Sequence, residues 1–252
     1  MSGHSKWSTI KRQKGTKDQK RGQLFTKLSF SITTAVREGG GVKDPNSNFR
    51  LRLAVEEARA ANMPKENIAR AIDKAGGKQD GDIEEIFYEG FGPGGFSVIV
   101  ETLTDKTTRT VAEVKNVFEK NGGSLGVVGS VMYQFEKNGV ITLSKNDKTL
   151  DEIFLIAADS GAEDVEESEG EIIVYTKSDN LAKTRMALSE NGLQIKEAQL
   201  FWKPNIINTI TNEEKAEVAM KFVEKLEELD DVIKVYVNFD IEEELMKKLL
   251  NE

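Results

Sequence analysis

Phe96-Ser97-Val98-Ile99-Val100-Glu101-Thr102-Leu103 (FSVIVETL) is the stretch on which the fold turns. Upstream of it apolar residues recur at helical spacings. Here they alternate and are β-branched, the pattern of a strand. Arg109 to Asn121 then carries Val111, Val114, Val117 and Phe118 at helical spacing, closed by Gly122-Gly123. Ser130 to Glu136 (SVMYQFE) alternates again, completing strand–helix–strand. Downstream, Val140 to Leu143 reads as a strand and Leu150 to Ser160 as a helix with Ile153, Phe154 and Ala157 inward. Asp164 to Glu167 is a weak strand, Glu171 to Thr176 a strong one, Asn180 to Asn191 a helix and Ile195 to Lys203 a strand. That βαββαβ order is the ferredoxin-like split motif. Ile206 to Ile210, Glu213 to Leu229 and Ile233 to Asn238 repeat strand–helix–strand. Neither three-element half offers enough sheet to bury its helix, so the two halves are expected to combine.

The fold class is therefore α+β, with an N-terminal basic helical domain followed by two ferredoxin-like domains, one inserted in the other. Residues 1–80 form a basic arm plus three helices. Residues 81–138 with 205–240 form a discontinuous domain, 139–204 the inserted one, and 241–252 a short amphipathic helix (Ile241, Leu245, Leu249). This arrangement places Ile233 to Asn238 in the sheet of Phe96 to Leu103. In the head, Leu24, Phe25, Leu28, Ile32, Ala35 and Val36 stripe a helix from Thr16 to Glu38, ended by Gly39-Gly40-Gly41. A second helix spans Pro45 to Ala61. Asn62-Met63-Pro64 starts a third, with Ile68, Ala71, Ile72 and Ala75 on one face and Gly76-Gly77 at its end. Residues 78–83 read as a linker.

Charge divides the chain the same way. The 252 residues sum to −8, yet residues 1–80 hold 17 Lys/Arg against 8 Asp/Glu, and the remainder 18 against 35. A basic head of +9 on an acidic body of −17 points to a polyanionic partner. Neutralising phosphates releases condensed counterions, the main sequence-independent source of nucleic-acid affinity. The arm concentrates the effect: Lys6, Lys11, Arg12, Lys14, Lys17, Lys20, Arg21 and Lys27 stand against the single acid Asp18. Lys11, Arg12 and Lys14 are the first choice for phosphate contact. Trp7 beside Lys6 and near His4 either stacks on exposed bases or anchors the arm on the head. Arg50 and Arg52 are read as extending the basic face. Arg59 is read as lying over the apolar stripe and pairing with Glu56 or Glu57.

Other motifs exclude more than they assign. Without cysteine there is no disulfide, thiolate nucleophile or Cys-based zinc site, and His4 is the only histidine. Gly90-Phe91-Gly92-Pro93-Gly94-Gly95 leads into a strand rather than opening a helix, and lacks nucleotide-loop spacing, so it reads as a backbone turn. Glu163 to Glu171 (EDVEESEGE) reads as a solvated acidic loop without EF-hand spacing. No catalytic constellation emerges; the expectation is a non-enzyme with no cofactor and no metal. No run of residues is long and apolar enough for a membrane span. A cytoplasmic location is expected, and a monomer is the default although nothing in the residues fixes the oligomeric state.

Gly3-His4-Ser5-Lys6-Trp7, Lys20-Arg21-Gly22, Phe25-Thr26-Lys27-Leu28 and Asn48-Phe49-Arg50-Leu51-Arg52-Leu53-Ala54 resemble the opening of the YebC/PmpR family. The resemblance continues through Ala60-Ala61-Asn62-Met63-Pro64, Tyr88-Glu89-Gly90-Phe91-Gly92-Pro93-Gly94-Gly95 and Arg109-Thr110-Val111-Ala112-Glu113-Val114. Lys120-Asn121-Gly122-Gly123, Gly129-Ser130-Val131, Gly161-Ala162-Glu163-Asp164 and Asp230-Asp231-Val232 extend it over nearly the whole chain. Since the family-like motif begins at Gly3, no removable presequence is expected. The resemblance implies a DNA-binding regulator of transcription, as bacterial members are described. The alternative it implies is a ribosome-associated factor binding ribosomal RNA and aiding elongation through proline-rich stretches. Mitochondrial members are described as translational activators of cytochrome oxidase subunit I. A third possibility from another class is a protein–protein adaptor, which steep salt dependence of nucleic-acid binding would exclude.

Overall fold

The computed structural model describes residues 18–75, 83–144, 148–168 and 171–249. Three helices open it: α1 (Asp18–Glu38), α2 (Phe49–Ala60) and α3 (Lys65–Lys74). Their apolar stripes meet in one core, with Leu28, Ile32 and Val36 of α1 against Leu51, Val55 and Ala58 of α2 and Ile68 and Ala71 of α3. Asn48 locks the first turn between them. Its side chain accepts from Leu51 N at 3.1 Å, as an N-cap does, and donates to the carbonyls of Ala35 (2.8 Å) and Val42 (3.1 Å). The second turn is tight, with Asn62 at φ 57° and Pro64 as the N-cap of α3.

The chain forms two compact units: Glu136–Lys203, and the chain on either side of that segment, through Phe135 and from Pro204. In the larger unit, β1 (Glu84–Phe91) and β2 (Ser97–Thr104) form an antiparallel hairpin, followed by α4 (Thr107–Lys120) and β3 (Ser124–Leu125). After the smaller unit come β8 (Asn208–Ile210), α7 (Glu213–Glu227), β9 (Val232–Val237), β10 (Phe239–Ile241) and α8 (Glu243–Leu249). The sheet order is β3-β1-β2-β9, with Val98 opposite Val237 and Val100 opposite Val235. The C-terminal strand thus joins the sheet of Phe96 to Leu103. Helices α4 and α7 cover one face. Phe118 and Phe222 meet edge to face at 5.1 Å, and Phe96 packs the same way against Phe222 (5.9 Å) and Phe239 (4.7 Å).

Two strand expectations are corrected. Ser130 to Glu136 is not a strand: Met132–Gln134 is a single 3₁₀ turn, and Phe135 begins the next strand. The backbone N–H groups of Gly129, Val131 and Met132 are taken by the Glu89 carboxylate, so they cannot enter a ladder. Ile206 to Ile210 does not join the main sheet either. Its core, β8, pairs in parallel with β10 in a separate two-stranded sheet. The vacated place is filled by β1, which the sequence reading passed over. Gly90 belongs there because a Cβ would stand 2.6 Å from both the Phe118 ring and the Ser124 carbonyl oxygen. The Gly92–Gly95 stretch is the β1–β2 turn, with Gly94 and Gly95 at φ 86° and 85°.

The smaller unit contains most of β4 (Phe135–Leu143), then α5 (Leu150–Asp159), β5 (Ala162–Ser168), β6 (Glu171–Lys177), α6 (Leu181–Glu190) and β7 (Ile195–Pro204). Its order β5-β6-β4-β7 is that of a ferredoxin-like sheet. Ile141, Leu143, Ile153, Val174, Leu181 and Leu188 fill its interior. Phe154, expected inward, is 49% exposed, since Ile153 and Ala157 already define the buried face of α5. The weak strand expected at Asp164 to Glu167 is present within β5, so the acidic run is not a loop there. There Tyr175 Oη donates to Glu166 at 2.6 Å and Lys203 lies 3.9 Å from Asp164.

Candidate nucleic-acid interface

His4, Lys6, Trp7, Lys11, Arg12, Lys14 and Lys17 lie outside the described residues, and Lys20 is described only as part of α1. The remaining four candidates fall into two kinds. Arg21 is exposed, its guanidinium 5.6 Å from the centre of the Phe25 ring, on the outer edge of the α1 stripe. Lys27 instead donates to the carbonyl of Glu227 (2.5 Å), the last residue of α7. A cation there meets carbonyls that the helix leaves unpaired. One turn earlier, Gln23 donates to Asp230 at 3.2 Å, so the same face of α1 docks on the α7–β9 corner.

Arg50 pairs with Glu38 and approaches Glu85 of β1 at 3.7 Å. Arg52 donates to the carbonyls of Pro45 (3.0 Å) and Asn46 (2.7 Å), closing the loop that leads into α2. Lys27, Arg50 and Arg52 therefore each make bonds that hold the head together or seat it on the body. Arg59 is exposed and does not pair with Glu56 or Glu57. Together with Lys65 and Arg70 it forms a set of exposed head cations that make no ion pair with another described residue. Lys65 and Arg70 were not singled out by the sequence. The signal was the helical period, which puts Arg70 about 200° round from the buried Ile68.

Motifs shared with the resembled family explain themselves largely as structure. Asp231 is buried and accepts from Thr110 Oγ1 (2.6 Å), Thr104 Oγ1 (3.1 Å) and Arg109 Nη2 (2.8 Å). The Arg109-Thr110 start of α4 is thereby tied to the start of β9. Hydrogen bonding to Asp231, then its charge, raises the pKa of Arg109 further. The groove between α4 and α7, about 570 Å³, is lined by Asn116, Val117, Lys120, Asn121, Lys225, Glu228 and Leu229. Lys225 is already taken there by Asn121 Oδ1 at 2.5 Å. Among the described residues no cluster of His, Asp and Glu is suited to a metal, and no helix is long and apolar enough to cross a membrane.

Residues 5–78 match the N-terminal domain of the TACO1/YebC protein, and residues 83–239 match the second and third domains of TACO1/YebC. The chain belongs to the TACO1/YebC family. A relative from Chloroflexus aggregans is 49% identical over 251 residues, spanning 98% of this chain and 99% of that protein. One from Desulfotalea psychrophila is 47% identical over 250 residues, 99% of each chain. Both bear the name probable transcriptional regulatory protein. A crystal structure of a conserved hypothetical protein from Aquifex aeolicus is similar at TM-score 0.81 and 43% identity, covering 91% of this chain and 96% of that one. Within this TACO1/YebC chain, the Asp231 and Asn48 networks give family-like motifs a structural role.

Proposed function

We propose that this protein is a non-enzymatic regulator of gene expression that binds nucleic acid, DNA in the first reading, through its basic arm and the outer surface of its helical head. The observation that carries this is the charge split, +9 in residues 1–80 against −17 beyond. Arg59, Lys65 and Arg70 extend the excess into the folded head, where no described acid neutralises them. Relatives named as transcriptional regulators support the same reading. Binding of this kind draws on phosphates, so affinity falls steeply with salt.

The second reading is a ribosome-associated factor contacting ribosomal RNA in the cytoplasm. It is favoured by Trp7 between Lys6 and the other basic residues of the arm, since an aromatic beside phosphate-binding charge suits exposed bases better than a closed duplex. A competition at near-physiological salt separates the two. Labelled protein is offered purified ribosomes and an excess of duplex DNA. Transfer to DNA supports the transcriptional reading; retention on ribosomes replaces it with the translational one. Binding to neither overturns both.

A further inference from the structure

The loop that follows α4 differs in chemistry from the basic head. Residues 121–135 (NGGSLGVVGSVMYQF) contain no charged side chain, in a chain that is 31% charged. Val127 is 78% exposed, Val128 92% and Tyr133 73%. Large apolar side chains this bare on a loop tip mark an interaction site when the loop is also held in shape.

It is held from both ends. Glu89 of β1 is buried, and its carboxylate accepts from the backbone N–H of Gly129 (2.6 Å), Val131 (2.8 Å) and Met132 (2.7 Å). Gly129 sits at φ 85°, and Gly126 N donates to the Glu89 carbonyl at 2.7 Å. At the far end, Gln134 Oε1 accepts from Ser97 Oγ (2.9 Å) and Asn238 Nδ2 (3.3 Å), while its Nε2 donates to Tyr133 Oη (3.2 Å). The Tyr133 ring is thus set by a chain of hydrogen bonds from β2 and the end of β9. The tip needs little ordering to bind, which removes one of the main costs of association.

We propose that this tip is a second nucleic-acid contact, receiving an unstacked nucleobase on the face of Tyr133 with Val127 and Val128 as the apolar wedge beside it. The proposal rests on the nucleic-acid reading above and adds to it a site without phosphate chemistry. The tip's own residues, 126–134, bring no cation for a phosphate, and the N–H groups of Gly129, Val131 and Met132 that would serve an anion are occupied by Glu89. What the tip offers is an aromatic face and uncharged apolar surface, the complement of a nucleobase face. The head touches β1 at Glu85, and the tip begins beyond Phe91. At the rise of a strand those positions are about 20 Å apart. A single strand engaging both must therefore be several nucleotides long.

The test uses the full chain and single-stranded RNA and DNA carrying 2-aminopurine, in lengths of about 20 and about two nucleotides, the latter too short to reach from the head to the tip. Tyr133→Ala should weaken binding of the longer strand about tenfold. It should also remove the 2-aminopurine fluorescence change and leave the slope of affinity against salt unaltered. Tyr133→Phe, which keeps the ring face and loses only the Gln134 bond, should retain most of the affinity and the fluorescence change, and Val127→Ser with Val128→Ser should follow Tyr133→Ala in direction. Binding of the short strand should be indifferent to all of them. Unchanged affinity and fluorescence in Tyr133→Ala, with the steep salt dependence of the unaltered protein intact, overturns this inference alone. Loss of self-association in its place assigns the tip to protein contact and overturns it too. No binding by the unaltered protein overturns the nucleic-acid reading and this inference with it.

Discussion

Asp231 and Glu89 are both buried carboxylates, and they tie down different things. Asp231 gathers two threonine hydroxyls and the Arg109 guanidinium across more than a hundred residues of sequence. Replacing it with Asn leaves buried donors poorly matched, and Asp231→Asn should cost about 2–4 kcal/mol in urea denaturation. Arg109→Ala should cost about 1 kcal/mol or less, because that side chain is nearly half exposed. Equal losses in the two variants would contradict this division. For Glu89, burial pushes the carboxyl pKa up, but hydrogen bonds from Gly129, Val131 and Met132 outweigh it and hold the group below its ordinary 4.5. A depressed folded-state value means stabilisation that is full above about pH 4.5 and is lost as pH falls through the folded value. Glu89→Gln should therefore be less stable than the parent at pH 7, by about 2 kcal/mol, with the gap closing in acid. A gap that stays constant from pH 7 to pH 3 would contradict the assignment.

Elements whose signal is local were legible; those set by distant partners were not. Phe96 to Leu103 alternates strongly and is a strand, and Val114 and Phe118 mark the buried face of α4 as their spacing implies. The strand β1 was missed because Glu84-Glu85 and Gly90 weaken its pattern, and Gly90 is required by a Phe118 ring that local sequence does not reveal. The alternation of Ser130 to Glu136 misled for the opposite reason: Glu89, some forty residues upstream, takes the N–H groups that a strand would need. The same limit applies to the candidate site. Basic residues were easy to find, but Lys27 meets its partner in Glu227, 200 positions away. The consequence is measurable at the level of α1. Lys27→Ala should speed amide exchange along α1 and lower stability by about 1 kcal/mol, without changing the salt slope of nucleic-acid binding. Replacing Arg59, Lys65 and Arg70 together by Glu should do the reverse, weakening binding with little effect on exchange. If the two sets of variants give the same pattern, the separation of structural from binding cations is wrong.

At the scale of the whole molecule, the sequence reading of an inserted domain at 139–204 becomes a proposal about autonomy. Gln134 O accepts from Asn205 N at 2.8 Å, so the chain leaves and returns at adjacent points of the larger unit. Replacing residues 136–203 by a short Gly/Ser turn should leave a chain that unfolds cooperatively, and 136–203 expressed alone should do so as well. Loss of cooperativity in both would contradict the proposal. The larger unit carries the basic head, so its nucleic-acid binding should survive the excision.

The most direct test of the central claim is the dependence of nucleic-acid affinity on salt, compared between the parent and Lys11→Glu/Arg12→Glu/Lys14→Glu. Binding through arm phosphates predicts a steep linear fall of log affinity with log salt, and a slope lower by about 2–3 in the triple variant. An affinity indifferent to salt, or a triple variant that matches the parent in both affinity and slope, would contradict it.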